Sequence, residues 1–124
     1  MNVMLWILAY LLAAVFAASG VAKLLTAREQ QIDRTPYVED FPQSVIRGIG
    51  VLEILGAIGL VLPALLDVAT LLVPMAGAGL GITMVFAALV HIRRGDGFAA
   101  ALPSIVLATL AVLFAWTRFG PYPL

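Results

Sequence analysis

Three isolated ionisable side chains, Lys23, Glu53 and His91, have the clearest potential for chemistry in this 124-residue chain. Each lies in a long apolar stretch, and His91 is the only histidine. A charge near the centre of a bilayer costs about 2.5–3.5 kcal/mol on insertion scales, so such groups normally face a protein interior, pair with one another or serve a function. A cation, a carboxylate and an imidazole together predict a polar pocket that contains one ion pair and one titratable ring.

Glu53 belongs to a row of residues spaced three apart, most of them small. The row consists of Arg47, Gly50, Glu53, Gly56 and Gly59. Small residues at such spacing let another helix backbone come close. Glu53 is expected about 13 Å from the start of its helix, near the bilayer midplane, where it must be protonated, paired or hydrated. Two interpretations remain open, a packing groove held by Glu53 and a functional carboxylate.

Lys23 follows Ser19 and Gly20 by four and three residues, so the three share one helix face. Because Lys23 lies about one turn from the predicted helix end, its side chain can extend toward the lipid head groups. It can also turn inward over the small residues and supply the counter-charge to Glu53. Both interpretations are open from the sequence.

His91 ends a face of mostly small residues, Gly77, Gly81, Met84, Ala88 and His91. It is either a hydrogen-bonding residue near a helix end or a ligand. Haem ligation by two histidines of one chain is excluded, because there is one histidine. Met84 and His91 lie on one helix face and cannot approach an iron from opposite sides. Zinc sites need three or four ligands, so no metal site is predicted.

Composition identifies an integral membrane protein. Hydrophobic residues make up 63% of the chain and charged residues 11%, against about 45–50% and about 25% in soluble proteins. The formal net charge is zero and there is no basic run, which argues against nucleic acid as a partner. The absence of cysteine excludes thiol chemistry and iron–sulfur ligation, so a redox role requires a bound cofactor or a partner.

The elements that position these residues are four apolar segments. They predict an all-α membrane four-helix bundle, with helices at about 3–26, 44–62, 68–92 and 98–118, in a single transmembrane domain over 1–124. Ser44 and Asp67 are expected as helix N-caps, and Pro63 as the residue before which the second helix ends. The polar loop 27–43 is interpreted as a solvated surface segment and is assigned no chemistry.

Basic residues near the helix ends predict the orientation. One side carries Lys23, Arg28, Arg34, Arg47, Arg93 and Arg94, whereas the other carries Arg118. The expected location is the inner (cytoplasmic) membrane, as a multi-pass protein with both termini extracytoplasmic. Lys23, Arg47 and His91 then lie toward the cytoplasmic ends of three helices with Glu53 deeper, so that they can converge.

Four segments carry a resemblance to a known family. They are SGVAKL at 19–24, RGIGVLEILGAIGLVLP at 47–63, GLGITMVFAALVH at 79–91 and RRGD at 93–96. In this order, followed by an apolar helix that begins near a proline, they resemble the DoxX-like family of small four-helix membrane proteins over nearly the full length. Phe86 departs from the family pattern, which often has glycine there, and is expected to narrow a cavity beside His91.

The resemblance implies a role in redox processes at the membrane. Some relatives are linked to thiosulfate:quinone oxidoreductase, others to membrane-associated oxidoreductase complexes or oxidative-stress responses, and many have no defined role. The resemblance implies a quinone in the pocket, with Lys23 or His91 hydrogen-bonding a carbonyl oxygen and electrons arriving from a partner.

The first hypothesis is therefore a redox-associated subunit that binds quinone or another lipid-soluble ligand. No catalytic residue is assigned, and whether the chain is an enzyme stays open. The expected partners are the bilayer, a membrane or redox protein, and further copies of the chain, because four helices enclose little interior volume. The predicted ligand-binding residues are Lys23, Arg47, Glu53, His91, Gly20, Gly50 and Met84.

Two alternatives belong to other functional classes. One is a non-catalytic scaffold or accessory subunit that docks a partner through the glycine-rich faces at 47–59 and 77–81. The other is a small proton-coupled transporter, since four helices with one deep glutamate also describe small multidrug-resistance proteins. Those carry the essential carboxylate in their first helix, whereas Glu53 lies in the second predicted helix, so the transporter ranks last.

Overall fold

Four long helices form the protein in the computed structural model, which describes residues 1–124. They are α1 (Asn2–Leu25), α3 (Gln43–Leu66), α4 (Leu72–Arg94) and α5 (Phe98–Phe119). Between α1 and α3 lie the short helix α2 (Arg28–Arg34) and a 3₁₀ segment (Pro36–Asp40). Each long helix has the length and apolar composition needed to cross a membrane. The prediction of an all-α membrane helical bundle is confirmed.

The helices pack in chain order around the bundle. α3 lies against α1 and α4, and α5 lies against α4, whereas α1 and α5 touch each other least of the neighbouring pairs. Consecutive spans of one bilayer run in opposite directions, so residues 26–42 and 95–97 lie at one end, called here the loop end. The apolar core between the helices includes Phe16, Leu60, Leu80 and Phe114.

Glycines set how closely the helices approach. A Cβ atom at Gly20 would lie 2.5 Å from the carbonyl oxygen of Gly50, and one at Gly50 would lie 2.9 Å from the carbonyl oxygen of Gly20. Only residues without a side chain permit this backbone contact between α1 and α3. Side chains of neighbouring helices occupy the space beside further glycines in the same way: Leu80 beside Gly56, Ala76 beside Gly59, Phe114 beside Gly77 and Val112 beside Gly81.

The structure differs from the sequence-based expectation at the turn between α3 and α4. Pro63 lies inside α3, which continues to Leu66. Proline removes one backbone donor, but ending the helix there would leave more backbone groups unpaired in an environment without water. The C-terminus of α3 is instead capped by a backbone hydrogen bond in which Val68 N–H donates to the Pro63 carbonyl at 3.1 Å. Asp67, with φ 52°, is therefore a C-cap of α3 and not an N-cap of α4.

The N-terminus of α3 also differs from the expectation. The helix begins at Gln43 after Pro42, and Ser44 lies in its first turn with no side-chain cap. Pro42 has an extended backbone conformation, φ −61° and ψ 150°, so the chain enters the helix directly from the 3₁₀ segment.

The segment between α1 and α3 is folded onto the loop end of the bundle. The Arg28 guanidinium donates to the carbonyl oxygens of Val38 and Phe41 and to Gln43 Oε1. Buried Gln31 donates through Nε2 to the Lys23 carbonyl at 2.9 Å, which satisfies an acceptor at the C-terminus of α1. These hydrogen bonds hold the segment in place as a cover over the interior.

Candidate functional site

Lys23 and Glu53 form an ion pair inside the bundle. Lys23 Nζ lies 2.7 Å from Glu53 Oε1 and donates to Ser19 Oγ, also at 2.7 Å. The Glu53 side chain is 1% exposed and that of Lys23 is 18% exposed. A buried charge is tolerated when an opposite charge lies this close. Of the two interpretations of Lys23, the structure shows the one in which the side chain turns inward to Glu53 and does not extend toward the lipid head groups.

The crossing of α1 and α3 brings the pair together. Lys23 follows Gly20 by three residues, and Glu53 follows Gly50 by three residues. In two antiparallel helices these positions lie on opposite sides of the crossing. Side chains lean toward the N-terminus of their own helix, so Lys23 and Glu53 lean toward each other across the glycine contact.

Glu53 keeps hydrogen-bonding capacity that no group of the protein uses. Oε2 is buried and has no partner, and Oε1 meets Lys23 at ion-pair distance without the alignment of a hydrogen bond. Unpartnered buried oxygens are uncommon in folded proteins and call for an explanation. A bound molecule that donates a hydrogen bond to this carboxylate is one such explanation.

Beside this carboxylate lies a cavity of about 520 Å³, called here the polar cavity. Ligand pockets for small molecules have volumes of about 300–1,000 Å³. All four long helices and the 3₁₀ segment contribute to its wall. The polar lining residues are Ser19, Lys23, Arg34, Thr35, Tyr37, Glu53, His91, Asp96 and Ser104, and Met84 is among the apolar ones.

His91 is oriented by Asp96. Its Nδ1 lies 2.9 Å from Asp96 Oδ2. Gly95, at φ 72°, ends α4 with a left-handed turn in which Asp96 N–H donates to the His91 carbonyl. This turn folds the chain back, so the aspartate faces the histidine five residues earlier. The Tyr37 ring packs edge-on against His91, with ring centroids 5.2 Å apart.

Asp96 is held in its charged form. Its hydrogen bond with His91 lowers the pKa of the Asp96 carboxyl group. The hydrogen bond and the positive charge of Arg94 lower this pKa further, whereas partial burial raises it. An ionised carboxylate only accepts hydrogen bonds, so Nδ1 carries the proton of a neutral His91. Nε2 then accepts from a ligand in neutral His91 and donates only in the imidazolium form.

Arg94 forms hydrogen bonds with both connecting segments at the loop end, residues 26–42 and 95–97. It donates to Asp40 at 2.6 Å and to Asp96 Oδ1 at 3.3 Å. The first bond links α4 to the 3₁₀ segment, and the second links it to the turn before α5. The cover over the polar cavity is thus tied to the same aspartate that orients His91.

The structure brings together four of the seven sequence-predicted site residues. Lys23, Glu53, Met84 and His91 all line the polar cavity. The other three have different positions. Gly20 and Gly50 form the helix crossing behind the ion pair, and Arg47 is exposed on α3 and does not contribute to the cavity wall.

Several lining residues were not found by sequence reasoning. Tyr37 and Arg34 belong to the loop 27–43, to which sequence analysis assigns no chemistry, and Asp96 pairs with His91, which is isolated from other ionisable residues within its apolar segment. A signal for the turn that places Asp96 is present in the sequence, since a glycine directly after a helix is typical of a left-handed C-terminal turn. Tyr37 has no comparable local signal.

Comparison with known proteins identifies the family. No curated protein and no solved structure matches the chain. The model of the DoxX-like family matches residues 7–114, a range that includes Lys23, Glu53 and His91 and most of the four long helices around the polar cavity. The chain belongs to the DoxX-like family of membrane proteins.

Proposed function

We propose that this protein is a redox-associated membrane subunit that binds a quinone in the polar cavity, with electrons supplied by a partner protein. The observation that carries the proposal is the Glu53 carboxylate, which is 1% exposed, lines the cavity and has an oxygen without a partner. We also propose the inner membrane as its location, with the loop end cytoplasmic and both termini extracytoplasmic, from the distribution of basic residues.

The donors and acceptors of the cavity suit a quinone ring. Lys23 has three N–H groups; one donates to Ser19, and the ammonium group lies at ion-pair distance from Glu53, so at most two N–H groups face these residues. The third is available to a carbonyl oxygen of the oxidised ring. Glu53 Oε2 accepts a hydrogen bond from a hydroxyl of the reduced ring. A quinone supplies two-electron chemistry when bound, and the residues of this chain bind and orient it.

After Lys23 and Glu53, His91 is the third polar group proposed to bind the ring, and it lines the cavity toward the loop end. Because Asp96 holds the proton on Nδ1, neutral His91 offers Nε2 as an acceptor for a ligand hydroxyl. Of the two donors proposed for a quinone carbonyl, the structure favours Lys23, since His91 donates from Nε2 only as an imidazolium.

Ligand-dependent stability of the purified protein in lipid nanodiscs tests the proposal. A quinone with a short side chain is titrated in its oxidised and reduced forms, and Tm and Kd are measured. We expect both forms to raise Tm, because a ligand that binds the folded state stabilises it. Glu53→Gln should weaken binding of the reduced form by about tenfold, the value of one hydrogen bond to a charged group.

Two further variants separate binding from folding. Ser104→Leu adds volume inside the cavity and leaves the ion pair intact, so it should remove binding while the unliganded protein stays folded. Arg47→Gln is the matched control, since Arg47 is exposed and lies outside the cavity wall. No rise in Tm with either redox form in the wild type would reject quinone binding.

The scaffold alternative is less well supported. It depends on the glycine-rich faces at 47–59 and 77–81, and Gly50, Gly56, Gly59, Gly77 and Gly81 in these ranges pack against other helices of the same chain. The transporter alternative keeps one supporting feature, the deep carboxylate in a cavity. Proton-coupled flux in liposomes would favour it over quinone binding.

A further inference from the structure

An apolar space between α3 and α4 reaches the ion pair from the outer surface of the bundle. It has a volume of about 360 Å³. Phe86, a residue that is 64% exposed, lines it together with Ile49, Leu52 and Val90. Phe86 thus borders this outer space and does not line the polar cavity beside His91, in contrast to the expectation from the sequence.

The outer space and the polar cavity meet at the ion pair. Five residues line both, namely Lys23, Tyr37, Glu53, Met84 and Ala87. Glu53 is therefore flanked by a polar cavity inside the bundle and by an apolar space on its surface. A molecule with a polar head and an apolar tail matches this division.

The outer space continues along the same pair of helices. A neighbouring space of about 490 Å³ shares Leu52 and Thr83 with it. Small residues on both helices form its floor, Gly56, Gly59, Ala76 and Gly79, and it extends to Leu72. Together the two spaces form what we call the α3–α4 groove. From Leu72 to Val90 the groove is about 27 Å long, close to the ~30 Å thickness of the hydrocarbon core.

We propose that the α3–α4 groove binds the apolar tail of a single-chain membrane lipid whose polar head reaches Glu53, so that the ligand enters sideways from the bilayer. This inference rests on the proposed function and adds the route of entry and the shape of the ligand. The head carries a hydroxyl or another hydrogen-bond donor, because the group that it meets is a carboxylate with an unpartnered oxygen.

The groove suits a lipid chain better than the polar cavity does. Arg34, Asp96 and Ser104 line the polar cavity, and the 3₁₀ segment covers it, so an apolar chain there would bury polar groups without partners. The groove lies on the surface that faces the bilayer and is lined by apolar and small side chains. A chain along it exchanges one apolar surrounding for another and gains close packing against the glycines.

The test compares two probes with the same head and different tails. One is a benzoquinone with a methyl side chain, and the other is the same ring with a decyl side chain, both used in the reduced form. The variant is Gly79→Leu, which places a side chain in the groove. A Cβ atom at Gly79 has no neighbour within 4 Å, so the substitution should not disturb the helix packing.

Gly48→Leu is the matched control. Gly48 is also an exposed helical glycine whose Cβ would meet no atom within 4 Å, and it lies outside the groove. We expect Gly79→Leu to weaken binding of the decyl probe by about tenfold, because the added side chain removes packing contacts between the decyl chain and the groove. Binding of the methyl probe should change less than about twofold, and Gly48→Leu should affect neither probe.

Each outcome separates the inference from the proposed function. If both probes bind all three proteins with unchanged affinity, the groove inference is rejected and quinone binding in the cavity stands. If neither probe binds the wild type, both fail. If Gly79→Leu converts a dimer to a monomer in native mass spectrometry and leaves decyl binding unchanged, the groove is an interface between copies of the chain, which also rejects the inference.

Discussion

Lys23 and Glu53 each follow by three residues a glycine at the crossing of α1 and α3, and their charged groups meet at 2.7 Å. The glycine contact sets the distance between the helix backbones, and the backbone distance sets whether the two side chains reach each other. The packing of the bundle and the geometry of the site are therefore one feature, and changes to either should affect the other.

The ion pair should show strong energetic coupling. Lys23→Met leaves the Glu53 carboxylate buried without a cation and should lower the free energy of unfolding by about 3 kcal/mol. The double variant Lys23→Met/Glu53→Met replaces both charges by apolar side chains and should recover most of this loss. Unfolding in mixed micelles by added denaturing detergent compares Lys23→Met, Glu53→Met and the double variant with the wild type. Additive effects would contradict a direct pairing.

The glycine crossing should be intolerant of a methyl group. Gly20→Ala places a Cβ atom 2.5 Å from the Gly50 carbonyl oxygen, so the helices must separate, at a cost of about 1–3 kcal/mol. Gly48→Ala is the control, because a Cβ atom there meets nothing within 4 Å. It should stabilise the helix by up to about 1 kcal/mol, since alanine is the better helix former. Equal effects at both positions would show that the crossing is not tightly packed.

Acid should weaken the contact between Asp96 and His91. The pKa of Asp96 is lower in the folded protein than in the unfolded chain, chiefly because of the hydrogen bond with His91. Its stabilising contribution is complete above the unfolded value of about 3.9 and is lost as the pH falls through the lower folded value. Thermal unfolding between about pH 6 and about pH 2.5 measures the loss, and Asp96→Asn should have a flatter profile below pH ~4. Identical profiles would exclude a stabilising role of the carboxylate.

The cover over the polar cavity should loosen when Arg94 is replaced. Arg94→Gln removes the bonds to Asp40 and Asp96, which join α4 to the 3₁₀ segment and to the turn before α5. Ion pairs near a protein surface contribute little to global stability, so amide hydrogen exchange within Pro36–Asp40 should accelerate by up to about fivefold while global stability changes little.

Arg93→Gln provides the comparison for the cover. Arg93 is the neighbouring residue of the same helix, is exposed and forms no ion pair. Its replacement should leave exchange in Pro36–Asp40 at the wild-type rate. A similar acceleration in both variants would indicate a general effect of charge and not the loss of the hydrogen bonds of Arg94 to Asp40 and Asp96.

Part of this picture could be predicted from the sequence, because the bilayer imposes simple requirements. Long apolar segments must be helices there, so the four-helix bundle was predictable. Lone charges are costly in lipid, so the pairing of Lys23 with Glu53 could be proposed from their types and depths. Helix ends were less predictable, as Pro63 shows, because closing the backbone hydrogen bonds outweighed the local preference of one residue.

Only the tertiary structure decided which residues share the site. Arg47 and Glu53 are six residues apart on α3, about 240° around the helix axis, so one is exposed while the other faces the interior. Tyr37 reaches His91 through the fold of the segment between α1 and α3, and Asp96 does so through the left-handed turn at Gly95. The types of the ionisable residues follow from the sequence, but their partners depend on helix rotation and on the path of the chain between helices, of which only the turn at Gly95 has a local signal.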